Sequence, residues 1–408
     1  MKRVFSILIC AVVAIGLLFT QTLSAQNQGA GQTAQCTVNQ EIESGIAKIM
    51  QDLNVVGLGV AVVSNGDIIY SNSWGYKNLE NKTPLKEDDI FRIASISKSF
   101  TATSIMQLVE QGKINLNDDI SNLVGFKVRN PNYPDVVITP YMLLTHTSSL
   151  NDSQGYFSLK SIDPSKNPNF EKAYNNYRPG SKYEYCNLNY NMMGTILERV
   201  SEVRFDNYVV KNILEPLGVY GGYWIDGLDK SKFVTLYQPN KEGVMTAQPE
   251  AYAPRREEIA NYEFGYSTPI FSPTGGLKTS PRGLARVMQM HLGLGTTKDG
   301  VTILKPESSL LMQSRLTATF EYPNDDGFYG FAIATNNALI PGKTMIGHTG
   351  GAYGVFTSMF WNKERTFGIV IMTNGCTYKT EQGFMSIHYR VSNLLYNNLI
   401  KGTEADRQ

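Results

Sequence analysis

The chain has 408 residues, 42% of them hydrophobic and 18% charged, which is ordinary for a globular protein and long enough for a large core with more than one lobe. Lys and Arg total 37 against 36 Asp and Glu. That balance argues against a nucleic-acid partner, which needs a basic surplus, and against a cationic partner drawn to an acidic tail.

The first 25 residues read differently from the rest. Lys2 and Arg3 precede an apolar run from Val4 to Phe19, and a polar stretch follows, ending in Leu23-Ser24-Ala25. This is the layout of a secretory signal cut after Ala25. The run of 16 residues falls short of the roughly 20 that span a bilayer. The expected location is therefore periplasmic or secreted, with no integral membrane segment once the signal is removed. Export permits disulfides. Only Cys36, Cys186 and Cys376 remain, so at most one bridge forms, and Cys36 with Cys376 is one such pairing. The cysteine spacings match no metal motif, and no metal or other cofactor is expected.

Residues 26–36 form a Gln/Gly-rich linker, and 37–400 read as the folded domain. A helix opens near Thr37, with Ile42, Ile46, Ile49, Met50 and Leu53 at helical spacing. GLGVAVVS and DIIYSNSWG then flank Asn65-Gly66, a strong hairpin signal. Lys98 to Gly112 reads as a helix, with Phe100, Ile105, Leu108 and Val109 inward and Gly112 at its end. From about 113 to 280 the chain is mixed and rich in Pro, Asn and Tyr, with an amphipathic helix near 189–201. Another helix follows near 281–293. Two polar stretches, 151–182 and 229–268, read as extended loops of a length that often carries function. The last hundred residues return to strands: YGFAIAT, KTMIGHTG, VFTSMFWN and TFGIVIMTN, separated by turns. A final helix over 381–399 carries Phe384, Ile387, Val391, Leu394 and Leu395. This order predicts an α+β fold. An antiparallel sheet from both ends of the chain (about 37–95 and 295–400) is flanked by the terminal helices. A largely helical second lobe (about 96–294) faces it across a cleft, which is the default site.

Three short motifs carry possible chemistry. Ser95 and Lys98 stand three apart at the start of a helix, on one face. A serine hydroxyl needs a base beside it to attack, and a partly buried lysine can lose its proton and serve. Ser-x-x-Lys alone arises by chance in many proteins, as a helix cap beside a solvated lysine. In YEYCNLNYNMMG, Tyr185 and Asn187 stand two apart ahead of a helix. A tyrosine near a cation can shuttle a proton, and an asparagine can hold both a lysine and a substrate amide. In GHTGGAYG, His348, Thr349, Gly350 and Gly351 lie on a predicted strand whose glycines let a substrate backbone come close. His146, His291 and His388 read as structural histidines.

Taken in order, Ser-x-x-Lys, Tyr-x-Asn and His-Thr-Gly resemble the penicillin-recognising serine hydrolases, which include DD-peptidases, class C β-lactamases, D-aminopeptidases and related esterases. The likeness runs over most of residues 40–400 and includes LLTHTSSL and GGLKTSPRGLARVMQMHL. The resemblance implies a β-lactamase/transpeptidase-like fold with its site between sheet and helical lobe. It implies that Ser95 is acylated, Lys98 activates it, Tyr185 passes a proton to the leaving group, and Asn187 positions Lys98 and the substrate. His348, Thr349, Gly350 and Gly351 would bind substrate. The Ser95 amide and that of Gly350 or Gly351 would form an oxyanion hole. Three positions depart from the pattern: Cys186 stands where serine is common, Ser149 where glycine is usual, and His348 where class C β-lactamases carry lysine. A histidine is mostly neutral at pH 7, which points toward D-peptidases and esterases. The expected activity is an exported serine hydrolase acting on D-residue peptides, cell-wall peptides among them, in the manner of a DD-peptidase or D-aminopeptidase. Two alternatives are an esterase or weak β-lactamase acting on small esters or amides, and a catalytically silent sensor domain.

Overall fold

Two stretches of alternating branched side chains, one near each end of the chain, dictate the centre of the structure. The structure is a computed structural model that describes residues 38–319 and 327–407. The expected signal, the linker and Cys36 lie outside the described residues.

Residues 38–52 form helix α1. Strands β1 (Gly57–Ser64) and β2 (Asp67–Asn78) follow as a hairpin. Its turn puts Asn65 and Gly66 at φ 47° and 82°. Both angles lie in the left-handed region that a tight hairpin turn demands and that these two residue types tolerate best. Helix α2 (Ser97–Glu110) runs through the interior, and Gly112, at φ 69°, lies past its end. Helix α3 (Asn187–Ser201) packs against it, and helix α4 (Pro281–Leu292) lies against β1 and β2. Strands β3 (Met345–Ala352), β4 (Val355–Asn362) and β5 (Phe367–Thr373) complete the core of the sheet, and helix α5 (Ser386–Leu395) packs against β5.

Among the described residues the main sheet has nine antiparallel strands. β1 pairs with β5, from Leu58 opposite Thr373 to Ser64 opposite Phe367, so the first and last long strands lie side by side. Period-two alternation gives the sheet two buried faces. Leu58, Val60, Val62, Ile369 and Ile371 face a core shared with Ile42, Ile46, Leu53, Val391 and Leu395 of the terminal helices. Ala61, Val63, Val370 and Met372 face the other core, with Leu284 and Met288 of α4 and Phe100 and Ile105 of α2.

Several details differ from the sequence expectation. YGFAIAT is not one strand: Phe328–Tyr329 and Ala334–Asn336 are two short antiparallel pieces joined by a tight turn. Gly330 sits in that turn, where an added Cβ would lie 2.2 Å from the Met312 carbonyl oxygen. The last helix is shorter than 381–399. Thr380–Glu381 and Phe384–Met385 form a small hairpin before it, and a π-helical turn over Tyr396–Ile400 ends it. The two polar stretches contain 3-10 turns at Leu159–Ser161 and Phe170–Ala173, and a hairpin of Tyr237–Pro239 with Met245–Ala247. No helix among the described residues is long and apolar enough to cross a membrane.

Candidate active site

The turn before α2 presents Ser95. Ala94 sits at φ 48°, left-handed for a residue with a Cβ, and opens a 3-10 turn over Ala94–Ile96. Such a conformation stores of order 1 kcal/mol and persists only where its surroundings hold it. They do here. The Ile93 amide donates to the Leu277 carbonyl at 2.9 Å, and Thr357 Oγ1 of β4 donates to the Ile93 carbonyl at 2.9 Å. Ser95 is half-buried.

β3 lies against this turn through Gly350. A Cβ on Gly350 would lie 2.4 Å from the Ile93 carbonyl oxygen, 2.4 Å from Thr357 Oγ1 and 3.1 Å from the Ser95 amide nitrogen. Only glycine lets the strand approach the nucleophile's own N–H this closely. Gly350→Ala should therefore lower kcat about a hundredfold by moving an oxyanion donor. It should also destabilise the fold by about 1–3 kcal/mol through overpacking. Hydrolysis of an activated ester together with thermal melting checks both.

Lys98 is fully buried, and its Nζ meets three groups: Ser95 Oγ at 3.1 Å, Asn187 Oδ1 at 2.9 Å and the Thr274 carbonyl at 3.0 Å. The last two can only accept. The orientation of Asn187 is set by its amide: Nδ2 donates to Asp152 Oδ2 at 2.9 Å, which leaves Oδ1 for Lys98 and for Thr274 Oγ1 at 2.9 Å. Two N–H bonds of Lys98 are thus committed, and its third tetrahedral position points at the serine oxygen. A neutral amine fits this arrangement with its lone pair on the Ser95 hydroxyl, and an ammonium fits with a third N–H. Burial pushes the Lys98 pKa down to about 7, against the opposing pull of the Asp152 charge. Both forms are accessible near neutral pH.

Asp152 gave no signal in the sequence. Its carboxylate accepts from the Asn187 and Leu188 amides at 2.9 and 3.0 Å, satisfying the first turn of α3, and from Cys186 Sγ at 3.2 Å. Cys186 is buried beneath the site, and burial raises its thiol well above the usual range, so it stays protonated and donates. Replacing Asp152 with asparagine keeps the shape and removes the charge. Because that charge favours protonated Lys98, the acid limb of the pH–rate profile should move below about pH 7 in Asp152→Asn. An unmoved limb would show that Asp152 does not act on Lys98.

Tyr185 stands over the lysine, its ring centroid 4.7 Å from Nζ, and its ring is 4.4 Å from that of His146. His146, at φ 56°, accepts the Cys186 amide on Nδ1 at 3.2 Å, and so holds the segment that carries Tyr185 and Asn187. His348 lies 6.3 Å from Tyr185, centroid to centroid. Its Nδ1 faces the Thr349 carbonyl, which can only accept, so Nδ1 carries the proton and Nε2 accepts from Tyr329 OH at 3.1 Å. Burial, then the Lys98 charge, lower His348 to about pKa 4, so it is neutral at pH 7. Thr349 is half-buried and Gly351 exposed. The neighbouring strand Ala334–Asn336 pairs only with 345–347, which leaves the edge of β3 beyond His348 open to an extended substrate. His291 stacks on Trp361, and both His291 and His388 are buried away from this cluster. Ser149 adopts φ 66°, the conformation a glycine would hold there, and its Oγ accepts from Asn130 at 2.9 Å.

Comparison with known proteins follows the same lines. The family profile for β-lactamases matches residues 42–384. The chain belongs to the β-lactamase family. This β-lactamase-family chain is 24% identical over 354 residues to the protein named flp of Staphylococcus aureus (strain MRSA252), covering 82% of its own length and 62% of the relative's. It is 30% identical over 168 residues to penicillin-binding protein 4* of Bacillus subtilis (strain 168), 39% of this chain and 36% of that one. Among solved structures, the octameric penicillin-binding protein homologue from Pyrococcus abyssi superposes with a TM-score of 0.70 at 26% identity, over 88% of this chain and 77% of that one. D-amino acid amidase from Ochrobactrum anthropi SV3 superposes with a TM-score of 0.69 at 20% identity, over 88% of this chain and 99% of the other. The fold is β-lactamase/transpeptidase-like.

Proposed function

We propose that this β-lactamase-family chain is an exported serine hydrolase that forms an acyl-enzyme on Ser95 and cleaves amide bonds in D-residue peptides, in the manner of a DD-peptidase or D-aminopeptidase. One observation carries the reading: Lys98 is buried, committed to two obligate acceptors, and aimed at Ser95 Oγ. Neutral Lys98 takes the Ser95 proton as the oxygen attacks the carbonyl carbon. The carbonyl oxygen gathers negative charge against the Ser95 amide and that of Gly350 or Gly351. As the tetrahedral intermediate collapses, Tyr185 delivers a proton to the departing amine and is reprotonated from Lys98. Water, deprotonated by the same groups, then releases the acid and restores Ser95. Small amide and peptide substrates suit the open edge of β3, and the likeness to a D-amino acid amidase supports the preference for D-residues.

Purified protein would be given matched peptides ending in D-Ala-D-Ala and L-Ala-L-Ala, and matched D- and L-amino acid amides. Release of D-alanine or of ammonia from the D-compounds alone is the expected outcome. Equal cleavage of both hands, or none, overturns the D-residue reading. A second reading is an esterase. It is favoured by neutral His348, which offers no fixed charge for a substrate carboxylate at the leaving-group end. Export is proposed from the N-terminal segment, and an N-terminus at Gln26 in the secreted protein checks it.

A further inference from the structure

A second pocket opens beside Tyr353, the residue after β3. Three cations line it. Arg92 and Lys278 are register partners on adjacent short strands, Phe91–Arg92 and Lys278–Thr279, and Arg255 reaches in from a loop. The Arg92 guanidinium lies 5.2 Å from the centre of the Tyr353 ring and donates to the Ala251 carbonyl at 3.0 Å, while its buried Nε has no partner. Lys278 is 3% exposed and donates to the Tyr223 carbonyl at 2.7 Å. Arg255 sits over the Phe157 ring at 5.0 Å. None of the three forms an ion pair among the described residues. The acid that favours charged Lys278, Asp206, is held by Arg204 at 2.6 Å. Glu250 is the one carboxylate in the lining, and it is solvent-exposed.

Buried cations brought together without a counter-charge are expensive. Burial and the neighbouring arginines push Lys278 well below the usual lysine range. An anion in the pocket would restore the charge on Lys278, satisfy the free Arg92 Nε–H and relieve the repulsion together. The position of the pocket says which part of a substrate would supply that anion. Tyr185, the proton donor to the leaving group, lies by His348 near one end of the open edge of β3. Tyr353 and the pocket lie at the other end. The acyl portion of a substrate bound along that edge therefore runs toward the pocket.

We propose that this pocket binds a carboxylate carried by the acyl portion of the substrate, so that the enzyme prefers acyl donors with a negatively charged side arm. The inference rests on the acyl-enzyme reading, and the test separates the two. Hydrolysis of p-nitrophenyl hexanoate would be compared with that of p-nitrophenyl hydrogen adipate, the same chain ending in a carboxylate. The wild-type protein should favour the adipate by about tenfold in kcat/KM, the size expected for one good charge-assisted contact. In Lys278→Met and in Arg255→Gln that ratio should fall toward one, each variant's hexanoate rate serving as its own reference. A wild-type ratio near one, or a ratio unchanged in both variants, overturns the proposal while leaving the acyl-enzyme reading intact, provided Ser95→Ala abolishes nitrophenolate release. If release survives in Ser95→Ala, the acyl-enzyme reading fails instead. The pocket is then read by calorimetric titration of adipate into the wild-type protein and Lys278→Met. Binding that is lost in the variant supports it, and no binding to the wild type overturns it.

Discussion

Ser95→Ala is expected to reduce hydrolysis of an activated ester by about 10⁴-fold or more, and to abolish any adduct on the intact protein. Removing a nucleophile removes the covalent route entirely, and what survives is the modest assistance of binding and the oxyanion donors. The substitution should fold normally, because the turn is held by bonds to the Ile93 backbone, which do not use the Ser95 side chain. The measurement is nitrophenolate release together with intact mass after brief exposure to the ester. A surviving adduct of equal occupancy would place the nucleophile elsewhere and remove the basis of the proposed mechanism.

Lys98 carries the second large effect, and two substitutions separate its roles. Lys98→Ala removes both the base and the donor to Asn187, and should cost about 10³–10⁴-fold in kcat. Lys98→Arg keeps a cation of similar length that does not deprotonate at any usable pH, so it should be nearly as damaging. A purely electrostatic role for Lys98 would instead leave the arginine variant substantially active. The wild-type profile supplies the sign. Burial lowers Lys98 to about 7, so the neutral, proton-accepting form dominates above that value. The rate of acylation should rise through about pH 7 to a plateau and fall as the medium becomes more acidic. An arginine variant with the same limb would assign the titration to another group.

The chemistry-bearing motifs were legible because local spacing carries them. Ser95 and Lys98 share one helical face, Tyr185 and Asn187 flank one helix start, and the glycines after His348 belong to one strand. The hairpin was legible for the same reason, since Asn65-Gly66 suits one kind of turn. What remained hidden reaches the site through tertiary placement. Asp152 belongs to a loop whose polar composition looks like any other, yet it caps α3 and fixes which way Asn187 points. Thr274 serves through its backbone carbonyl, which no residue type announces. His146 reads as a structural histidine, and Tyr329 lies in a strand too short to have a period. The last helix was drawn too long because Phe384 fits its apolar pattern, although the chain reaches that residue through a hairpin.

The pairing of β1 with β5 has a consequence in time. The hydrogen bonds along one side of the first strand belong to residues made long after it, while those along the other side close the hairpin at once. Contacts between distant parts of a chain form slowly, because a large loop must close before any of them is rewarded. Ser95 likewise meets Gly350 only once the late strands have docked. While it is being made, the chain holds a serine and a lysine already neighbours in sequence but no strand to present a substrate to them. The chain is therefore expected to stay inert until β3, β4 and β5 have folded back onto the first hairpin.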